Sequence, residues 1–360
     1  MYAFLISLII VFGFLAIYHT VVGKNSIDFL RFILAGRKKD FSFSELLLLW
    51  KINSIINFNT KAHFFSSIKS LDFCIMAVQA EVENTKSLQK EQDGTHLLSK
   101  LYNYRTQFEL ELIQEQYHIE TTYDIEPKQV CLLLSQKVGS VYARVEEVTK
   151  SHVRFVMFDS SAAKAVKHKW KDDYVQVYFW RRGDAGYFYV SKILSGKPRK
   201  DGYEMYIAHS DELRRTQKRK SIRASCRFEG VMFPLHSKLE FNENYEKRGG
   251  VNCKIKNISE DGAMFHVKGK AQRGVHIKLQ FKINNKNVVM CGTIIRFIYD
   301  EASNTSKVHF NAVMVSEPHR NTILSFVYNI IEQQKPDIAF SLSGDEEMEE
   351  VEAEVLQNPA

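Results

Sequence analysis

The 360-residue chain is poor in the residues that break or staple a fold. Six prolines and seventeen glycines are too few for a mainly disordered protein. The five cysteines, Cys74, Cys131, Cys226, Cys253 and Cys291, form no C-x-x-C pair. Their odd number and wide scatter exclude a disulfide framework and a zinc site, and fit reduced thiols in a reducing compartment. Catalytic signatures are missing too. Histidines at 152, 168, 209, 236, 266, 276 and 309 show no H-E-x-x-H spacing, and there is no G-x-x-x-x-G-K-[ST] loop or G-x-S-x-G elbow. No catalytic residue, metal site or cofactor is therefore expected, and the chain does not read as an enzyme. After Lys335 the chain has no Lys or Arg, but carries Asp337, Asp345, Glu346, Glu347, Glu349, Glu350, Glu352 and Glu354. Such a tail reads as solvated disorder over 336–360.

What is present divides the chain into five. Tyr2–Val22 is an almost unbroken apolar run. Roughly 21 residues at ~1.5 Å each reach ~31 Å, enough for a bilayer core. No Lys or Arg precedes it, whereas Lys24, Arg31, Arg37, Lys38 and Lys39 follow. The positive-inside rule then places the rest of the chain in the cytoplasm. The expectation is a single-pass anchor at 1–23 in the inner, cytoplasmic membrane. Residues 24–120 read as a helical membrane-proximal region. Ser42-Phe43-Ser44-Glu45 is a capping box before the apolar Leu46–Ile56. Further helical patterns run over Thr60–Lys90 and Thr95–Gln116, with a break near Gly94. In the last, Leu97, Leu101, Tyr104, Phe108 and Leu112 form one stripe.

From about Lys128 the period changes to that of strands. Six short runs, Val130–Leu134, Val141–Val148, Val153–Phe158, Tyr174–Trp180, Tyr187–Ile193 and Tyr203–Ile207, predict a small barrel or sandwich over 121–212. Six more, Phe228–Leu235, Val251–Ile258, Ala263–Val267, Ile277–Ile283, Val288–Tyr299 and Val308–Val315, predict a second over 213–335. That one ends in a helix begun by Ser316-Glu317-Pro318, with Ile323, Val327, Ile330 and Ile331 on its apolar face. The fold class is mainly β, with a helical N-terminal region and two tandem small β-barrels.

The charged join between the two series contains Gln217-Lys218-Arg219-Lys220-Ser221-Ile222-Arg223, and the next series Asn257-Ile258-Ser259-Glu260-Asp261-Gly262. With R-x-x-x-R followed by [D/N]-x-S-x-x-G, the stretch from Arg214 to Gln334 resembles the PilZ family of cyclic di-GMP receptors. Residues Lys128–Asp211, with Tyr187 and the run His209–Arg215, resemble the companion barrel of the flagellar-brake (YcgR-like) proteins. Arg215–Arg219 and Arg223–Arg227 share the arginine spacing. The resemblance selects Arg219 and Arg223, because Gln217 and Lys218 match the family's lead-in and a strand follows. It implies cyclic di-GMP as the ligand, held at the inter-barrel hinge by Lys218, Arg219, Arg223, Asn257, Ser259 and Gly262. It also implies a part in flagellar motility, with motor proteins as partners. The residues suit that ligand by themselves. A guanidinium binds a phosphate or guanine O6 and N7 bidentately, and stacks on a base. Asn257 offers donor and acceptor, Ser259 can bond a base or fix the turn, and Gly262 would allow a positive φ and close approach. Three departures from the pattern stand out: Lys218 where Arg is frequent, Asn257 as the rarer permitted residue, and no glycine in Val308-His309-Phe310-Asn311-Ala312. Two other classes fit the same residues: a scaffold that binds no ligand, and a nucleic-acid-binding protein using the basic cluster 214–227. The shortness of that cluster and an anchor far from the chromosome speak against nucleic acid. Oligomeric state is not legible.

Overall fold

The computed structural model describes residues 26–328 except 56–60, 138, 158–164, 167–169, 171–172, 182–184 and 217–220. The expected anchor at 1–23 and the acidic tail lie outside these residues. Among the described residues, no helix is long and apolar enough to cross a membrane.

Four helices come first: α1 (Ser26–Arg37), α2 (Phe43–Ile55), α3 (Ile68–Asn84) and α4 (Leu88–Tyr117). The capping box forms at the start of α2. The Ser42 amide donates to the Glu45 carboxylate at 2.6 Å and the Glu45 amide to Ser42 Oγ at 3.3 Å. The expected break near Gly94 is not there. Helix α4 runs through Gly94, and the interruption falls at Thr85–Ser87, where Thr85 is extended. A Cβ at position 94 would lie 2.4 Å from Val82 Cγ2, so this glycine lets α3 and α4 approach. Its helix penalty of about 1 kcal/mol is tolerated for that contact.

The first barrel comprises β1 (Val130–Ser135), β2 (Gly139–Val148), β3 (Val153–Met157), β4 (Tyr174–Trp180), β5 (Gly186–Arg199) and β6 (Gly202–Ile207). The strands run in the order β4-β1-β2-β3-β6-β5 and close through a β4–β5 pairing. Alternate residues such as Val141, Ala143, Val145, Val177, Tyr187 and Tyr189 fill it. Strand β7 (Arg214–Thr216), which was not expected, pairs with the start of β5.

The second barrel comprises β8 (Ala224–Leu235), β9 (Val251–Ser259), β10 (Gly262–Lys268), β11 (His276–Ile283), β12 (Lys286–Asp300) and β13 (Thr305–Met314), closed in the order β10-β13-β12-β11-β8-β9. Asn284 and Asn285, at φ 47° and 64°, turn β11 into β12 in the left-handed conformation that a two-residue hairpin demands. Helix α5 (Glu317–Val327) follows, with Ser316 as its N-cap and proline in its first turn. Of its expected apolar face, Ile323 and Val327 are buried, while Ile330 and Ile331 lie outside the described residues.

The described residues up to Glu109 and from Cys226 onward form one compact unit, and those from Leu110 to Ser225 belong to the other. The joint inside the first unit is polar and specific. Ser99 Oγ donates to Asn321 Oδ1 at 3.1 Å, and Asn321 Nδ2 donates to the Thr95 carbonyl at 3.0 Å. The hydroxyls of Thr106 and Tyr328 meet at 2.6 Å. The Arg105 guanidinium lies 3.7 Å from the centre of the Tyr328 ring, donates to Asp72 at 2.6 Å and pairs with Glu109. Leu97, Leu101 and Tyr104 of the expected stripe are buried, Phe108 is half-buried and Leu112 is exposed. Helix α4 also buries Tyr102, Arg105 and Thr106, since it serves α5 as well as α3.

Arg105 is 8% exposed, and its removal would leave Asp72 and Glu109 facing each other. Arg105→Met is expected to cost about 2 kcal/mol or more. That is below the ~3–5 kcal/mol of a wholly buried pair, because both carboxylates are partly solvated. Chemical denaturation of the variant measures it, and an unchanged midpoint would show that the joint carries no stability.

Candidate functional site

The connection from β7 to β8 holds the basic residues. Arg214 and Arg215 belong to β7, opposite Phe188 and Tyr187 of β5. The Arg214 guanidinium lies 5.8 Å from the Phe188 ring centre. Lys218 and Arg219 lie outside the described residues. Ser221 is buried, Arg223 is half-buried immediately before β8, and Arg227 is exposed on that strand. What leads the chain to this connection is fixed by His209. Its Nδ1 meets Thr122 Oγ1 at 2.8 Å, its Nε2 meets the Thr149 carbonyl at 2.7 Å, and its ring stacks on Tyr123 at 3.8 Å. Tyr187, the other familiar feature of this barrel, accepts the Ile119 amide at 3.3 Å.

The second group is brought together in one hairpin. Asn257 and Ser259 end β9, Gly262 starts β10, and Ser259 pairs directly with Gly262. Asn257 is buried, and its Oδ1 accepts the Met264 amide at 3.2 Å. The strand pairing slips one residue between Met264 and Phe265, a bulge that leaves ladder groups over, and the side-chain amide takes one of them. Ser259 is buried and donates to Asp261 Oδ1 at 2.6 Å. The Ala312 amide donates to the Asp261 carbonyl at 2.8 Å, stitching the turn to β13.

Gly262 has an ordinary φ, so the left-handed freedom expected of it is not used. The space is what requires it, since a Cβ there would lie 2.3 Å from the Phe310 carbonyl oxygen. On the other side of β13, a Cβ at Gly292 would lie 2.0 Å from the Asn311 carbonyl oxygen. The glycine absent from Val308–Ala312 thus has counterparts in the two neighbouring strands.

The spacer positions of the motif carry chemistry that a spacing pattern cannot display. Asp261 accepts the hydrogen bond of the Ser259 hydroxyl. Glu260 is largely buried, and burial lifts its carboxyl above the ordinary range, while Arg320 of α5 at 3.7 Å pulls it down and Asp261 pushes it up. Among the described residues no cluster of His, Cys, Asp and Glu could hold a metal. All five cysteines are free, four of them buried. A cleft of about 920 Å³ in the other unit is lined by Glu111, Glu115, Glu120 and Asp124 against Arg181 and His118, a field that repels a dianion.

The family model described as "PilZ domain" matches residues 214–329. No curated protein matches the chain at a significant level. Among solved structures, the inhibitor of motility MotI/DgrA of Bacillus subtilis is 14% identical with a TM-score of 0.44, over 57% of this chain and 96% of that one. YcgR of Escherichia coli in complex with c-di-GMP is 11% identical with a TM-score of 0.41, over 70% and 95%. The K. pneumonia MrkH–c-di-GMP complex is 11% identical with a TM-score of 0.35, over 56% and 87%.

Two expectations follow from the hairpin. Gly262→Ala should lower stability by about 1–3 kcal/mol through overpacking against β13. An unchanged denaturation midpoint would show that the strand yields. The second concerns pH. A carboxyl whose folded pKa lies above its unfolded value binds its proton more tightly in the folded chain. Stability from Glu260 therefore falls as pH rises through the folded pKa, and returns as pH drops towards the ordinary carboxyl value. Against Glu260→Gln, the wild-type chain should gain relative stability as pH falls from neutrality towards the ordinary carboxyl value. A constant difference across that window would count against a lifted carboxyl.

Proposed function

Residues 214–329 are a PilZ domain, and from that premise we propose that the chain is a membrane-anchored cyclic di-GMP receptor that regulates flagellar motility and catalyses nothing. The carrying observation is the buried hairpin in which Asn257, Ser259 and Gly262 stand together, in a domain of the family whose signature they complete with Arg219 and Arg223.

The hydrogen bonds already made within the hairpin narrow what each group can offer. Asn257 Oδ1 is occupied by the Met264 amide, so the amide nitrogen is the atom left to donate to a guanine acceptor or a phosphate. Ser259 donates its hydroxyl hydrogen bond to Asp261, so its oxygen is left as an acceptor for guanine N–H groups. Arg219 and Arg223 supply bidentate donors to phosphate or to guanine O6 and N7, and Lys218 adds charge. Ordering of the connection by a dianionic ligand is the signal in this reading, with flagellar motor proteins as the receivers. The anchor at 1–23 keeps the receptor at the inner membrane with both barrels in the cytoplasm.

Calorimetric titration tests the reading. The chain used must begin no later than Ser26, because a fragment starting at 120 would strip α4 from α5 and expose Asn321 and Tyr328. Binding of cyclic di-GMP is expected in the micromolar range or tighter, about −8 kcal/mol or better, with GTP and cyclic di-AMP inert. Arg219→Ala and Arg223→Ala should each cost about 2 kcal/mol or more, the value of charge-assisted bonds. Arg215→Ala should cost less, as Arg215 is placed in β7. No heat at about 100 μM ligand would refute the reading, a concentration well above the expected Kd.

A further inference from the structure

Helices α1 and α2 carry apolar side chains on both of their faces. Phe29 and Phe32 of α1, Leu46 and Leu49 of α2, and Phe41 in the turn between them are buried inward. Outward, Leu30 is 54% exposed and Leu34 56% along α1, and Phe43 is 55% and Leu47 42% along α2. Each pair is four residues apart, so its members lie one above the other on a single helix face. Scattered exposed leucines need no explanation, but paired stripes on two successive helices do.

The charge beside these stripes has one sign in excess. Arg31, Arg37, Lys38 and Lys39 are exposed on α1 and the turn after it. Against these four cations stand Asp28 on α1 and the exposed Asp40 in the turn, while Glu45 is held by Lys100 at 2.9 Å. Covalent reach supplies the third argument. Ser26, where α1 begins, follows the end of the apolar run Tyr2–Val22 by four residues, at most about 14 Å of extended chain. If that run spans a bilayer, the first turn of α1 starts no further than this from its interface.

We propose that the outward faces of α1 and α2 lie on an anionic lipid surface, with Leu30, Leu34, Phe43 and Leu47 at the headgroup–acyl boundary and Arg31, Arg37, Lys38 and Lys39 among the phosphates. This is the pattern of an interfacial amphipathic helix, apolar on one side and basic along its edges. A second copy of the chain is a poorer occupant, because a two-fold contact would bring the same cations face to face. The helices belong to the compact unit of the second barrel, so the lipid contact attaches the barrel that carries the Asn257–Gly262 hairpin, and not a free tether.

The inference rests on the membrane attachment in the proposed function, and the experiment separates the two. Full-length protein, with the half-buried Cys226 changed to Ser, receives a nitroxide label at Leu34→Cys, at Phe43→Cys, or at Leu239→Cys in the second barrel, where Leu239 is 96% exposed. Each is floated with vesicles of phosphatidylcholine and phosphatidylglycerol. Power saturation then compares relaxation by oxygen, which partitions into lipid, with that by a nickel chelate, which stays in water. Labels at 34 and 43 are expected to favour oxygen and the label at 239 the chelate. Reversing Arg31, Arg37 and Lys38 to Glu should return the label at 34 to water. Protein that floats with all three labels alike in water would overturn the lipid face and leave the anchor standing. Dipolar broadening between labels at 34 would overturn it in favour of a second copy. Protein that does not float would overturn the anchor, and this proposal with it.

Discussion

The closeness of β13 to its two neighbours governs the second barrel. Carbonyl oxygens of Phe310 and Asn311 come so near to positions 262 and 292 that neither can bear a side chain. Once both glycines are seated, the registers follow, with Gly262 opposite Asn311 and Gly292 opposite Ala312. A slip of one residue would put Ala263 or Thr293 against a carbonyl and turn every side chain to the wrong face. The hairpin of Asn257 and Ser259 is held in the same way, since Asp261 both accepts from the Ser259 hydroxyl and binds the Ala312 amide of β13. The candidate site is thus a by-product of how the barrel closes at this end.

That end also faces the helices. Glu260, between Ser259 and Asp261, meets Arg320 of α5. The next residue of α5, Asn321, is buried against α4, and Ile323 is buried about one turn on from Arg320. Arg105 closes the joint by lying on Tyr328. A run of polar contacts therefore leads from the motif's spacer residues to the N-terminal helices without leaving one compact unit. Of the ion pairs in this run, Arg105 with Asp72 and Glu109 has the more buried cation, 8% exposed against 35% for Arg320, so it holds most of the electrostatic weight.

Much of this was legible in the amino-acid order, and the misses share a cause. The strand Tyr174–Trp180, which alternates over most of its length, is legible to the residue, and so is the capping box at Ser42. Strand β5 does not end at Ile193, where the expected run Tyr187–Ile193 stops. It continues, and Gly196 is there because a Cβ would collide with the Tyr203 hydroxyl at 2.5 Å. Gly94 is there for the same reason, and so is Gly262. In each case the glycine answers to an atom of another strand or helix, which local propensity cannot register. Strand β7 was missed for another reason. Arg-Arg-Thr has no apolar alternation and is a strand only because β5 offers an unpaired edge. At the candidate site the spacing Asn-x-Ser-x-x-Gly was readable. That Asn257 plugs a bulge and that Asp261 accepts from the Ser259 hydroxyl depend on tertiary register alone.

The interleaving of the two units bears on how the chain is made. Helices α1–α4 leave the ribosome early, yet the surface of α4 that packs on Asn321 and Tyr328 has to wait until the C-terminal helix has been translated, more than two hundred residues later. At ~5–20 residues per second that is an interval of roughly ten to forty seconds. Throughout it, Tyr102 and Arg105 lack the covering that α5 gives them in the finished molecule, while from about its midpoint residues 110–225 have all been made and have a complete core of their own. The newborn protein therefore passes through a stage in which the first barrel is folded and the N-terminal helices are still seeking their other half. At that stage chaperone capture or premature self-association would compete most strongly with maturation.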